Sequence, residues 1–139
     1  MAVAEEPSPL KLSIADTSRF AEGRITLCFR NEGNEPVRIP DEINDETSDF
    51  FFVTVLRTQQ GKMRVLKREI GTMTFQRPLN YRELSPGQEY SVTIPVCLDE
   101  VDLEGWKQCS CELETRYYNQ QGKDCFLGVL RATARLALQ

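Results

Sequence analysis

Five cysteines, Cys28, Cys97, Cys109, Cys111 and Cys125, are the side chains best suited to chemistry in this chain, which has no histidine. Without imidazole, Ser-His-Asp and Cys-His relays, zinc-protease helices and His-bearing metal sites are all excluded. Four of the thiols, Cys97, Cys109, Cys111 and Cys125, are enough in number for a closed tetrahedral zinc site. Their spacing argues against one, because a single Cys-x-Cys pair stands where structural zinc sites use two Cys-x-x-Cys knuckles. Buried, reduced thiols are the expectation, so no metal and no cofactor is assigned. An odd count also leaves at least one thiol unpaired in a monomer, and a disulfide formed on oxidation cannot be placed.

Asp41, Glu42, Asp45, Glu46 and Asp49 offer oxygen ligands to a hard cation, but their spacing matches no calcium loop with its required glycine. A solvated acidic loop is expected there. No glycine-rich phosphate loop of either usual pattern occurs. With no catalytic constellation left, the chain is expected to be non-enzymatic.

Charge is unevenly distributed about a net of -4. Residues 31 to 49 hold seven acids against Arg38, and residues 57 to 82 hold seven bases, Arg57, Lys62, Arg64, Lys67, Arg68, Arg77 and Arg82, against Glu69. These are expected to be solvated surfaces that partly compensate one another, and the overall sign disfavours binding to nucleic acid through its phosphates. Trp106, Tyr117, Tyr118 and Phe126 could supply aromatic contact anchors. Core packing should absorb most of them, although Tyr117 and Tyr118, as consecutive strand residues, must point to opposite faces and leave one exposed.

The elements that position these side chains read as strands. Leu10, Leu12 and Ile14 alternate with polar neighbours, as do Ile25, Leu27 and Phe29, and then Val37 and Ile39. Residues 50 to 57 form a nearly continuous apolar run, expected as a central strand with both faces at least partly covered. Residues 62 to 67 return as a more polar strand, expected at an edge, and residues 70 to 77 as a weaker one. Ser85-Pro86-Gly87 makes a turn into Tyr90, Val92 and Ile94, which face one way while Ser91 and Thr93 face the other. Further on, Cys109, Cys111, Leu113, Thr115 and Tyr117 share an inward face opposite Ser110, Glu112, Glu114 and Arg116. Residues 119 to 124 form a hairpin-like connection, and Leu130, Ala132, Ala134, Leu136 and Leu138 alternate with Arg131, Thr133 and Arg135 in a last strand.

A chain of 139 residues with 40% apolar and 27% charged side chains is expected to be a single soluble domain. The series of strands predicts an all-β, antiparallel, immunoglobulin-like β-sandwich of eight or nine strands over residues 10–139, after a flexible tail at residues 1–9. The first residues lack a basic n-region and an apolar h-region, so a cytoplasmic location is expected, with no membrane association. The absence of any Asn-x-Ser/Thr acceptor agrees with that setting.

Three segments carry a family resemblance: residues 30 to 37 (Arg-Asn-Glu-Gly-Asn-Glu-Pro-Val), residues 81 to 88 (Tyr-Arg-Glu-Leu-Ser-Pro-Gly-Gln) and residues 126 to 130 (Phe-Leu-Gly-Val-Leu). In this series the chain resembles the small β-sandwich domain that precedes the catalytic unit of deuterolysin-like and peptidyl-Lys metalloendopeptidases. It also resembles the bacterial intracellular proteinase inhibitor. The resemblance implies a sandwich over about residues 10 to 138, and a proteinase inhibitor or pro-domain-like role as the alternative function. It brings no catalytic residues, since the peptidase's zinc-binding helix has no counterpart here.

The leading expectation is a module that binds another protein, of unknown identity, through a sheet edge or loops at one end of the sandwich. The contact residues expected are Asp41, Glu42, Asp45 and Glu46 in the acidic loop, Lys62, Arg64, Lys67 and Arg68 in the basic hairpin, and Trp106 in the loop from Asp99.

Overall fold

Period-two alternation is realised as antiparallel strands in a computed structural model, which describes residues 9–41, 43, 48–58, 61, 63–66, 80–98, 111–119 and 125–136. The strands are β1 (Leu10–Asp16), β2 (Arg24–Asn31), β3 (Val37–Pro40), β4 (Phe52–Thr58), β5 (Met63–Val65), β6 (Tyr81–Leu84), β7 (Glu89–Pro95), β8 (Cys111–Asn119) and β9 (Gly128–Leu136). One sheet runs β1-β2-β7, a second β5-β4-β8-β9, and a short ribbon pairs β3 with β6. The protein is an all-β sandwich. No helix among the described residues is long and apolar enough to cross a membrane.

The two larger sheets meet through the residues that alternation turns inward. Leu10 and Leu12 of β1, Ile25, Leu27 and Phe29 of β2, and Val92 and Ile94 of β7 join Phe52, Leu56, Leu113, Tyr117, Leu130 and Leu136 from the second sheet in one core. Phe29 and Tyr117 bridge the sheets edge to face, with ring centroids 5.1 Å apart. Burying a Leu, Ile or Phe side chain stabilises the fold by roughly 1.5–3 kcal/mol, so this layer is the main source of stability. Between β4 and β8 the inward pair is polar: the Thr54 and Thr115 hydroxyls hydrogen-bond across the strands at 3.1 Å, which satisfies both groups in the core.

The run at residues 50 to 57 differs from expectation at its start. Ser48–Phe51 forms one helical turn, and β4 begins only at Phe52. The reason is steric: Phe51 and Phe52 are both buried and both lie beside the Tyr117 ring. Consecutive residues of one strand would point to opposite faces. A helical turn brings both rings to the same side. Within β4 itself the expectation of a covered central strand holds, since β5 and β8 flank it and Val55 and Leu56, on opposite faces, are both buried.

Tyr81–Leu84, which shows no clean alternation, is nevertheless a strand paired with β3. The following Ser85-Pro86-Gly87-Gln88 turn closes through Gln88 N–H to the Ser85 carbonyl at 2.9 Å, with Gly87 at φ 83°. That is type II geometry, in which Pro supplies the first corner and Gly the positive φ of the second. Asn31 locks this turn to the end of β2. Its amide nitrogen donates to the carbonyls of Glu35 and Leu84, its side-chain oxygen accepts from Gly33 N–H, and its own carbonyl accepts from Gly87 N–H.

Several expectations fall outside the described residues: the tail up to residue 8, the weak strand at 70 to 77, the loop from Asp99 to Trp106, Cys109, the connection at 120 to 124 and Leu138. Pro9 is described, and its carbonyl accepts from Glu32 N–H at 2.7 Å.

Candidate functional site

The outer face of the β5-β4-β8-β9 sheet collects charge that the core does not use. Along β8, Cys111, Leu113, Thr115 and Tyr117 point inward and are buried, which turns Glu112, Glu114, Arg116 and Tyr118 outward. Strand pairing then sets their neighbours in rows. Arg57, Glu112 and Arg135 form one row; Val55, Glu114 and Thr133 the next; Val53, Arg116 and Arg131 the third; Tyr118 and Val129 lie beyond. Strand β5 extends the first two rows with Met63 and Val65.

Glu114 occupies the middle of this face, yet its side chain is only 4% accessible. Arginines cover it. Arg116 Nε donates to Glu114 Oε1 at 2.9 Å, Arg57 Nη2 lies 3.7 Å from the same oxygen, and Arg131 Nε lies 3.6 Å from Oε2. A buried carboxylate is costly without such partners, and charge-assisted contacts of this kind are the strong ones. Hydrogen bonds to Tyr118 and then to Glu114 hold the Arg116 guanidinium above the ordinary arginine range. Arg57 Nε is buried with no hydrogen-bond partner among the described residues.

With Glu112 and Arg135, the face carries four arginines, Arg57, Arg116, Arg131 and Arg135, against two glutamates. Apolar side chains flank this positive excess. Met63 and Val65 are 57% and 46% exposed on one side, and Val129 is 51% exposed on the other. Basic donors beside exposed apolar surface suit contact with a macromolecule better than they suit catalysis.

Of the residues expected from sequence to make contacts, Asp41 and Arg64 are described; Glu42, Asp45, Glu46, Lys62, Lys67, Arg68 and Trp106 lie outside the described residues. Asp41 follows β3 and accepts a hydrogen bond from Arg82 Nε at 2.7 Å, and the Arg82 guanidinium sits 4.0 Å from the centre of the Tyr90 ring. The Asp41 carboxylate raises the Arg82 pKa. One acid of the 31 to 49 group is thus matched by one base of the 57 to 82 group. Arg64 lies on β5 opposite Leu56. Asp41 thus stands at the end of the short ribbon, whereas Arg64 lies in the four-stranded sheet.

Glu114 and its arginines were absent from that expectation. The outward placement of Glu114, Arg116 and Arg131 on the last two strands was readable, but their convergence with Arg57 of β4 depends on the register that sets Glu114 opposite Val55 and Thr133.

The described cysteines do not assemble into a metal site. Cys28, Cys97 and Cys125 form no disulfide, Cys111 is buried on the inner face of β8, and among the described residues no three Cys, Asp or Glu side chains gather as a metal site would require. Cys125 lies instead beside Asn119, whose amide nitrogen is 3.7 Å from the sulfur and donates to the Phe126 carbonyl at 3.0 Å. Nearby Tyr117 is fully buried among Phe29, Phe51, Phe52 and Phe126, and its hydroxyl has no hydrogen-bond partner among the described residues. Burial first, and then the neighbouring Cys125 thiol, push the Tyr117 phenol well above its usual value; Asn119 is near enough to temper the rise without meeting the geometry of a hydrogen bond to the hydroxyl. A cavity bounded by Ser48, Phe52, Thr54, Leu66, Ile94 and Pro95 holds about 10 Å³, the space of one water and too little for a metabolite.

The arginine-lined sheet face is thus the strongest candidate site in the described fold; no protein-family model matches the chain, and no curated protein matches it.

Proposed function

We propose that the chain is a non-enzymatic, immunoglobulin-like module that binds another protein across the outer face of the β5-β4-β8-β9 sheet. One observation carries this reading: three arginines, Arg57, Arg116 and Arg131, converge around a buried glutamate on the outer face of the sheet, with Arg135 in a neighbouring row and exposed Met63, Val65 and Val129 at the flanks. A sheet face needed only for solubility gains nothing from exposed apolar side chains. The strand orders β1-β2-β7 and β5-β4-β8-β9 support the immunoglobulin-like assignment. The thiols of Cys28, Cys97 and Cys125, which form no disulfide, support a reducing, cytoplasmic setting.

The test is affinity capture from the native source with the wild-type chain and an Arg131→Glu/Arg135→Glu variant, with circular dichroism as the control for folding. A reproducible protein partner should be lost with the variant. Retention of the same partner at equal yield would refute the assignment of this face. Inhibition of a panel of proteases at micromolar concentrations would favour the inhibitor-like alternative.

A further inference from the structure

We infer that the occupant of this face is an acidic, extended polypeptide segment whose carboxylates enter the arginine cluster while its apolar side chains cover Met63, Val65 and Val129; this rests on the protein-binding reading above. Glu114 shows how the cluster holds a carboxylate, with arginine nitrogens on both of its oxygens. The contacts to Glu114 use one nitrogen from each of Arg57, Arg116 and Arg131, and a guanidinium carries five N–H donors. All three arginine side chains retain solvent exposure, at 40%, 35% and 59%. Donors and positive charge are therefore left over after the internal carboxylate is satisfied.

The form of the occupant follows from the pleat. Successive rows on one face of a strand are separated by two residues, or roughly 7 Å, which is also the spacing of alternate side chains in an extended peptide. A segment whose like-facing positions, i and i+2, carry acidic and apolar side chains in turn can thus set carboxylates on the two arginine rows, which are separated by the Val55 row, and still reach the apolar flanks. A nucleic acid fits less well. Its phosphate backbone has no use for the apolar flanks, which the apolar side chains of a peptide would cover. A second copy fits less well again, because a two-fold interface would set this positive face against itself.

The experiment measures fluorescence anisotropy of short labelled synthetic peptides in which valine takes turns with glutamate, with glutamine or with lysine at every second position, serine filling the positions between, alongside a single-stranded oligonucleotide. The glutamate peptide should bind, with affinity falling as salt rises, and the glutamine peptide should bind about tenfold more weakly, the scale of one charge-assisted hydrogen bond. Arg131→Gln should weaken the glutamate peptide about tenfold, and Arg135→Gln, a variant outside the Glu114 contacts, should weaken it in the same direction. Glu114→Gln should strengthen it, since the internal competitor for the arginines is removed.

Equal binding of the glutamate and glutamine peptides would overturn the acidic-partner inference, as would failure of the glutamate peptide to bind or tighter binding of the oligonucleotide. The protein-binding face would still stand if its captured partner remained sensitive to Arg131→Glu/Arg135→Glu. Peptide binding unchanged by both glutamine variants would overturn the location as well.

Discussion

Replacing Asn31 by aspartate is the most exacting single test of how this sandwich is held together. Asn31 is fully buried, and the substitution preserves its shape, so no cavity enters the balance. What changes is the donor set. The amide nitrogen gives hydrogen bonds of 2.8 Å to the Glu35 carbonyl and 2.9 Å to the Leu84 carbonyl, and in Asn31→Asp both carbonyls face an oxygen instead. Each lost bond is worth about 1 kcal/mol, and each buried acceptor left unsatisfied adds roughly 1–3 kcal/mol. The bond from Gly33 N–H, at 2.9 Å, strengthens toward a carboxylate and returns about 1 kcal/mol. A net loss of about 3–7 kcal/mol at neutral pH follows, a large part of the roughly 5–15 kcal/mol that stabilises a typical domain.

The same geometry fixes the pH dependence. Burial and two facing carbonyls raise the folded-state pKa of the introduced carboxyl above its unfolded value of about 3.9. A raised pKa means the folded state binds the proton more tightly, so the penalty is smallest below the unfolded value and grows as pH rises through the folded one. Urea unfolding of wild type and Asn31→Asp at about pH 4 and about pH 7.5 measures both effects. A variant within about 0.5 kcal/mol of wild type at the higher pH would refute the hydrogen-bond assignment. So would a difference between the two proteins that does not change with pH.

Tyr117→Phe removes a buried hydroxyl that has no hydrogen-bond partner among the described residues, and is expected to raise stability by about 1 kcal/mol in urea unfolding. Because the Tyr117 pKa is raised in the fold, its stabilising contribution is intact below the unfolded value near 10 and is lost as pH climbs beyond it. Wild type should therefore lose stability above about pH 10 more steeply than Tyr117→Phe, as read from thermal melts in alkaline buffer. Gly87→Ala meets no neighbouring atom within 4 Å but places a Cβ at φ 83°, so it should cost about 1–2 kcal/mol through backbone strain alone. A cost below about 0.3 kcal/mol would show that the turn relaxes out of type II geometry.

Alternation made β1, β2, β7, β8 and β9 legible because each has one face on the core, where burial punishes a slip of one residue. It misled at Phe51 and Phe52, since a run of apolar residues is read equally well as a strand or as a helical turn with two rings on one side. It was silent at Tyr81–Leu84, where only Leu84 is buried and a short ribbon strand needs no periodicity. The candidate site was less legible than the fold. Runs of like charge in sequence directed attention to loops, whereas Glu114 gathers Arg57 and Arg131 from strands that precede and follow its own. Their meeting is set by pairing registers, and single-sequence patterning carries no register between strands that are distant in the chain.

The turns that carried the family resemblance have a structural explanation that weakens their value as functional signals. Asn31 joins residues 30 to 37 to residues 81 to 88 through the Leu84 carbonyl and Gly87 N–H, and Phe126 N–H, at the start of the third segment, donates to the Arg38 carbonyl at 2.8 Å. All three segments are parts of one fastening system. Any sandwich that must bring these strand ends together has a use for the same Asn, Gly and Pro chemistry, whatever it binds. The outward positions of β8 and β9 are under no such demand, because the inward residues already fix those strands in place. Arginines and exposed apolar groups there are free to serve a partner, and for that reason the peptide and charge-reversal experiments are directed at this face and not at the motifs.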